Sequence, residues 1–188
     1  MCLSKEIIRK EYLRLRKLKP SYTTFLLSWE IQKKFLNSDI YRQSDIIGVY
    51  YPILNEVQSF RIITKGMSDS KTIALPIVTR KNLTFHKYFS SQSLKVGAYN
   101  IKEPLISDVA LDDKLDVVIV PGIAFDPRGY RVGYGKGYYD KFFHSKQRSD
   151  INIIGLAYDF QLLDNCIESE NYDVKLNALY TEKRVLEF

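Results

Sequence analysis

Apolar positions recur along this chain in two periods, and the alternation between those periods predicts the elements. In residues 4–18, Ile8, Tyr12 and Leu15 stand at helical spacing, Ser4 is placed to cap the N-terminus, and Pro20 stops the run. The other faces of that helix carry Lys5, Arg9, Lys10, Arg14, Arg16 and Lys17. A second helix is expected over residues 23–36, with Phe25, Trp29, Lys33 and Leu36 on related faces. The pattern then shortens. DIIGVYY (45–51), KTIALPIV (71–78), LDVVIVP (115–121) and INIIGLAY (151–158) are apolar, β-rich runs, the mark of strands buried on both faces. The second is expected to end near Pro76. Residues 83–88 alternate and read as an edge strand. Residues 59–67 and 137–146 read as helices, the latter presenting Tyr138, Tyr139, Phe142 and Phe143 over so wide an arc that at least half must be core.

Helices alternating with buried strands predict an α/β fold. The expectation is a single three-layer α/β/α domain over residues 1–188, with a mainly parallel, Rossmann-like central sheet and the helices of residues 4–36 packed on it. Ligands of such sheets bind beyond the carboxyl ends of the strands. The loops after Tyr51, Pro76, Pro121 and Tyr158 are therefore expected to form one rim.

Composition narrows this little. The net charge of +6 suits a polyanionic small substrate, nucleic acid or a plain solvated surface. No apolar run approaches the roughly 18 residues that span a bilayer, and MCLSKEIIRKEY lacks the apolar core of a signal peptide. A cytoplasmic enzyme without a membrane partner is expected. Cys2 and Cys166 are too few for a disulfide scaffold or a metal cluster, and no base is evident to activate either. His86 and His144 are isolated and make a poor zinc site.

Candidate chemistry gathers in residues 117–141, VVIVPGIAFDPRGYRVGYGKGYYDK, which join a buried strand, a Gly-rich basic loop and the start of a helix. Backbone N–H groups and a helix N-terminus there can face a phosphate, with Arg128, Arg131 and Lys136 supplying charge. A glycine-rich surface turn is the plainer reading. Two better-known templates fail. A Walker A loop needs Ser or Thr after Gly-Lys, where Gly137 stands; a dinucleotide fingerprint needs Gly where Tyr138 stands. Asp140 is either a complement to the helix dipole or a Mg²⁺ ligand beside phosphates. Asp126 is either a similar ligand or the cap of the turn that Pro127 starts. Glu56, just past a strand end, is either solvent-facing or a carboxylate for a pterin- or purine-like edge beside Tyr51 and Pro52. A sugar-phosphate or CoA-ester enzyme and a nucleic-acid-binding module remain rival classes at this point.

PGIAFDPRGYRVGYGKGYYDKFF resembles the signature of the 5-formyltetrahydrofolate cyclo-ligase family, also called 5,10-methenyltetrahydrofolate synthetases. The likeness extends to Lys5 and Arg9 in K-x-x-x-R, Asn55–Val57, Ala74–Pro76, the G-x-x-x-I-x-E-P element at 97–104 and the YD-x-x-L…TE pattern at 172–182. It implies an ATP- and Mg²⁺-dependent closure of 5-formyltetrahydrofolate to 5,10-methenyltetrahydrofolate through a phosphorylated formyl group, by a monomer acting on small molecules and not on nucleic acid. By the same resemblance, Lys5, Glu6, Ile7, Ile8 and Arg9 touch ATP, with Lys5 and Arg9 on the phosphates. Arg131, Val132, Gly133, Tyr134, Gly135, Lys136, Gly137, Tyr138 and Tyr139 wrap the nucleotide. Tyr51 and Glu56 hold the pterin, and Tyr134, Gly135, Lys136, Gly137 and Tyr138 border the folate. Lys136 and Arg131 are the expected catalytic residues, and Asp140 the metal ligand. Two positions depart from the pattern. Asn177 stands where the family's second acid is expected, leaving a neutral oxygen as metal ligand, and Ile77 stands where an Arg follows Pro76, with Arg80 as a possible substitute.

Overall fold

Five parallel strands form the middle of a seven-stranded sheet: β1 (Ile46–Val49), β2 (Thr72–Val78), β6 (Val117–Val120), β9 (Asn152–Leu156) and β10 (Ala178–Tyr180). Antiparallel strands close both edges, β3 (Leu83–Lys87) beside β2 and β11 (Val185–Glu187) beside β10. The coordinates are a computed structural model describing residues 4–79, 82–105, 109–146 and 150–188. Cys2 and Arg80 lie outside the described residues. The four apolar runs and the alternating edge run all become strands, as their patterns predict.

β2 does not end at Pro76 but continues to Val78, with Pro76 opposite Phe85 of β3. The reason is local. β1 pairs with β2 only as far as Gly48 and Ala74, so beyond that point β2 has β3 alone beside it. A residue without an N–H is tolerated in such an edge-like stretch.

Helices cover both faces. α2 (Ser21–Leu36), α3 (Asp39–Gln43) and α4 (Phe60–Ser68) bury Ile31, Phe35, Tyr41, Ile62 and Ile63 against Ile47, Ile73, Val117 and Ile154. α5 (Tyr138–Lys146) buries Phe142 against Phe85, Val118 and Val120 on the opposite face. Tyr138, Tyr139 and Phe143 pack partly against the same cluster. Burial of each such side chain contributes roughly 1.5–3 kcal/mol.

α1 (Lys5–Lys17) packs elsewhere. Ile8 and Tyr12 lie on a small hairpin, β7 (Ala124–Phe125) and β8 (Arg131–Val132), that follows β6 and carries the Gly-rich loop. The hairpin is too short for any periodicity to announce it. A ribbon of β4 (Leu94–Val96) and β5 (Lys102–Pro104) sits near the end of β2, where the buried Glu103 accepts the Val78 N–H at 3.1 Å.

Counted in chain order, the parallel strands lie 2-1-3-4-5 across the sheet. The order reverses between β1 and β6, and the crevice beyond that reversal is where ligands of open α/β sheets bind. Glu56 follows β1, and the Gly-rich loop follows β6.

Candidate functional site

A cavity of about 1080 Å³ opens at this switch point. Its volume lies at the upper end of the roughly 300–1,000 Å³ of small-molecule pockets. Its walls include Tyr51, Glu56, Pro76 and Pro121, together with Gly133 to Lys141, Lys5 and Arg9. Three of the four expected rim loops contribute. The loop directly after Tyr158 does not line the cavity; instead the Tyr158 hydroxyl donates to the Glu56 backbone oxygen at 3.1 Å and supports the floor from behind. The segment from Glu170 to Asp173 supplies that part of the wall.

Glu56 is held by its own loop. Leu54 and Asn55 adopt left-handed backbone (φ 48° and 57°), and the Glu56 N–H donates to Ile53 at 2.9 Å. Its Oε2 accepts the Ile53 N–H at 3.0 Å and its Oε1 the Tyr134 O–H at 2.9 Å. Ser59 and Tyr50 hydrogen-bond across the base of the loop. Only 4% of Glu56 is exposed. Burial pushes its carboxyl above the ordinary value, and Arg16, the Ile53 N–H and Tyr134 oppose the shift. Tyr134 is itself held above the ordinary phenol range, first by burial and then by the Glu56 charge, so it keeps its proton and donates.

The wall formed by the first helix and the Gly-rich loop is cationic. Arg9 Nε donates to the Gly133 carbonyl at 2.9 Å, bringing the first helix against the Gly-rich loop. Gly135 (φ 88°) and Gly137 (φ 64°) need the left-handed region, which an L side chain rarely adopts. Gly137 accepts the Lys141 N–H as α5 begins, and the first N–H groups of a helix have no partner within it. Lys136 is exposed at the cavity. Tyr99, from the turn between β4 and β5, bridges to the Tyr138 hydroxyl at 3.1 Å.

Asp140 sits in the first turn of α5. Its Oδ1 accepts Arg131 Nη2 at 2.9 Å and the Val174 N–H at 3.1 Å. Arg131 is buried, and its Nη1 donates to Val174 O at 3.1 Å. Its guanidinium aims Asp140 and pins Val174, and the residue itself lines the cavity. Asp173 lies beside it on the cavity wall, with Lys5 Nζ at 2.5 Å from Oδ2.

Asn177 is not brought to Asp140. Its Oδ1 accepts the Ile153 N–H at 2.7 Å, near the start of β9 and away from the carboxyl ends of the strands, and it does not line the cavity. The carboxylate that shares the cavity wall with Asp140 is Asp173, four residues before Asn177. Ile77 is buried in β2. Of the expected ATP residues, Glu6 and Ile7 do not line the cavity, and the Ile8 and Val132 side chains are in the core. Asp126 is buried and saturated by the turn it caps.

Residues 2–182 match the model of the 5-formyltetrahydrofolate cyclo-ligase family. The chain belongs to that family. It is 28% identical over 174 residues to the 5-formyltetrahydrofolate cyclo-ligase of Haemophilus influenzae, covering 90% of this chain and 92% of that protein. The cyclo-ligase of Escherichia coli K12 is 30% identical over 147 residues, 76% of this chain and 80% of its own length. The solution structure of Aquifex aeolicus 5,10-methenyltetrahydrofolate synthetase superposes with a TM-score of 0.85 at 29% identity, covering 97% of this chain and 92% of that one. A Mycoplasma pneumoniae synthetase shares the fold, with a TM-score of 0.74 at 23% identity over 96% and 99% of the two chains.

Two residues at or beside the cavity are not singled out by a reading of the sequence. Arg16 looks like another basic residue on a polar face, but it is 1% exposed and donates to Tyr134. Its signal is its place two turns after Arg9 on the same helix stripe. Asp173 is visible in the YD of the late pattern, but that pattern points the metal role to Asn177.

Proposed function

We propose that this chain converts 5-formyltetrahydrofolate and ATP into 5,10-methenyltetrahydrofolate, ADP and phosphate. The observation that carries the reading is one large cavity lined both by a cationic Gly-rich loop and by a buried carboxylate that the loop's Tyr134 contacts. Lys5, Arg9, Lys136 and the Gly133–Gly137 backbone receive the triphosphate, while Glu56 and Tyr51 take the pterin, whose amino and N–H edge suits a carboxylate acceptor.

The formyl oxygen attacks the γ-phosphorus and displaces ADP. N10 then attacks the formyl carbon, phosphate departs with the former formyl oxygen, and N10 loses its proton. The oxygen that is a poor leaving group in the amide leaves readily as phosphate. Phosphoryl transfer asks the protein for alignment and charge neutralisation. Lys136, exposed on the loop, suits the charge that develops on the γ-phosphate.

Asp140 and Asp173 fit a Mg²⁺ ion. Both are hard oxygen donors on one wall, and the second oxygen of Asp140 has no protein partner among the described residues. When bound, Mg²⁺ neutralises and orients phosphate oxygens. Arg131 holds Asp140 in place, and Lys5 holds Asp173.

The test is to incubate the protein with 5-formyltetrahydrofolate, ATP and Mg²⁺ and follow the absorbance of the methenyl product. ATP-dependent growth is expected; well-folded protein giving none would sink the proposal.

A further inference from the structure

Lys5, Arg9, Tyr12 and Arg16 are spaced four, three and four residues apart on α1, and so share one stripe. The stripe grips the Gly-rich loop at two successive residues. Arg9 Nε donates to the Gly133 carbonyl at 2.9 Å, and Arg16 Nη2 donates to the Tyr134 hydroxyl at 2.5 Å. The two arginines are seven residues apart, about 10 Å along the helix axis. Tyr134 passes the contact on, donating to Glu56 at 2.9 Å. Arg16 Nη1 is tied to the Gly122 carbonyl at 3.3 Å, just past β6, while its Nε has no partner among the described residues. A buried guanidinium with an unmatched N–H is a poor device for stability alone, since an apolar residue would avoid the desolvation cost.

We infer that Arg16 is a positioning residue that makes nucleotide and folate binding mutually dependent, by holding the Tyr134 hydroxyl so that its proton points at Glu56. The inference rests on the proposed function. Hydrogen-bond direction supplies the mechanism. A guanidinium only donates, so the Tyr134 oxygen must accept from Arg16, which leaves the phenolic proton for the carboxylate. Phosphates that engage Lys5 and Arg9 fix α1 against the loop, and α1 holds Tyr134 through Arg16. Folate on Glu56 fixes the same hydroxyl from the other side. Linkage is reciprocal: whatever factor nucleotide adds to folate affinity, folate adds to nucleotide affinity.

The experiment measures the Kd of 5-formyltetrahydrofolate by calorimetry, with and without Mg²⁺ and a non-hydrolysable ATP analogue. The proteins are wild type, Tyr134→Phe, Arg16→Lys and Arg16→Met. Wild type should bind folate about tenfold more tightly with the analogue present. Tyr134→Phe, which changes shape least, should reduce that ratio to about one. Arg16→Met should do the same, with Arg16→Lys restoring part of it. A merely structural role would weaken both ligands without moving the ratio. A wild type that binds folate with no coupling, or a folded Tyr134→Phe that keeps the wild-type ratio, overturns the inference and leaves the proposed function standing. A wild type that binds no folate overturns the proposed function, and the inference with it.

Discussion

Asp126 and Glu56 are buried carboxylates in segments that follow the adjacent strands β6 and β1, and from sequence they look alike. Their surroundings separate them. Asp126 is 0% exposed and accepts five donors: the N–H groups of Arg128, Tyr130 and Ile167, and Nε and Nη2 of Arg128. A carboxylate offers about four lone-pair sites, so Asp126 has nothing left for a ligand. Among the described residues Glu56 accepts only from the Ile53 N–H and the Tyr134 O–H, and it lines the cavity. Its remaining acceptor capacity suits a ligand. Burial alone therefore does not distinguish a structural acid from a binding acid; unspent hydrogen-bond capacity does.

The largest expected effect comes from Asp126→Asn. The amide NH₂ would confront N–H donors at one of the two oxygen positions. Breaking two buried hydrogen bonds should destabilise the fold by about 3 kcal/mol in urea titrations. Activity per folded molecule should stay near wild type, because Asp126 faces the hairpin turn and the Ile167 segment rather than the cavity. An intact urea midpoint in this variant would break the contrast.

Glu56→Gln should do the converse. Removing a charge-assisted hydrogen bond to folate should lower kcat/KM for folate about 100-fold, ~2.7 kcal/mol, with the urea midpoint not reduced. An active Glu56→Gln would move the pterin contact elsewhere.

The same reasoning about capacity separates Asp173 from Asn177. Asp173→Asn should raise the Mg²⁺ needed for half activity by about tenfold, since a charged ligand becomes neutral. Asn177→Asp should leave the Mg²⁺ requirement unchanged, because that side chain is spent on the Ile153 N–H. A lowered requirement in Asn177→Asp would return the metal to the position the sequence pattern favours.

The apolar runs that become β1, β2, β6 and β9 and the longer helices around them are legible because each is long enough to show its pattern; β10, three residues, and α3, five, are too short to announce themselves. The β7–β8 hairpin is not legible either, since its strands are two residues each. Its turn is held by Asp126 and by Gly129 at φ 91°, chemistry that reads equally as a ligand loop. Glu56, Lys136 and Asp140 can be named from motif and strand-end position. Arg16 cannot, because period alone assigns an Arg to solvent, and its three-dimensional partners, the Tyr134 hydroxyl and the Gly122 carbonyl, are what receive this one in the interior. Asn177 misleads because counting along a motif says nothing of which end of the sheet a residue occupies.

The smallest expected effect concerns pH, and it tests the contrast from the side of stability. Burial raises the Glu56 carboxyl above its unfolded value, with Arg16 opposing. Ionising this group in the fold therefore costs more than ionising it in the unfolded chain. Its contribution to stability is fullest below the unfolded value, about pH 4.3, and is lost as pH rises through the folded one. Glu56→Gln is fixed in the uncharged form. Its Tm should exceed that of wild type by a few degrees at about pH 8, and the two should converge near about pH 4. Asp126→Asn should instead lower the Tm at both. If wild type proved the more stable at high pH, the attraction of Arg16 would outweigh desolvation, and Glu56 would stand with Asp126 as an acid that the fold needs for itself.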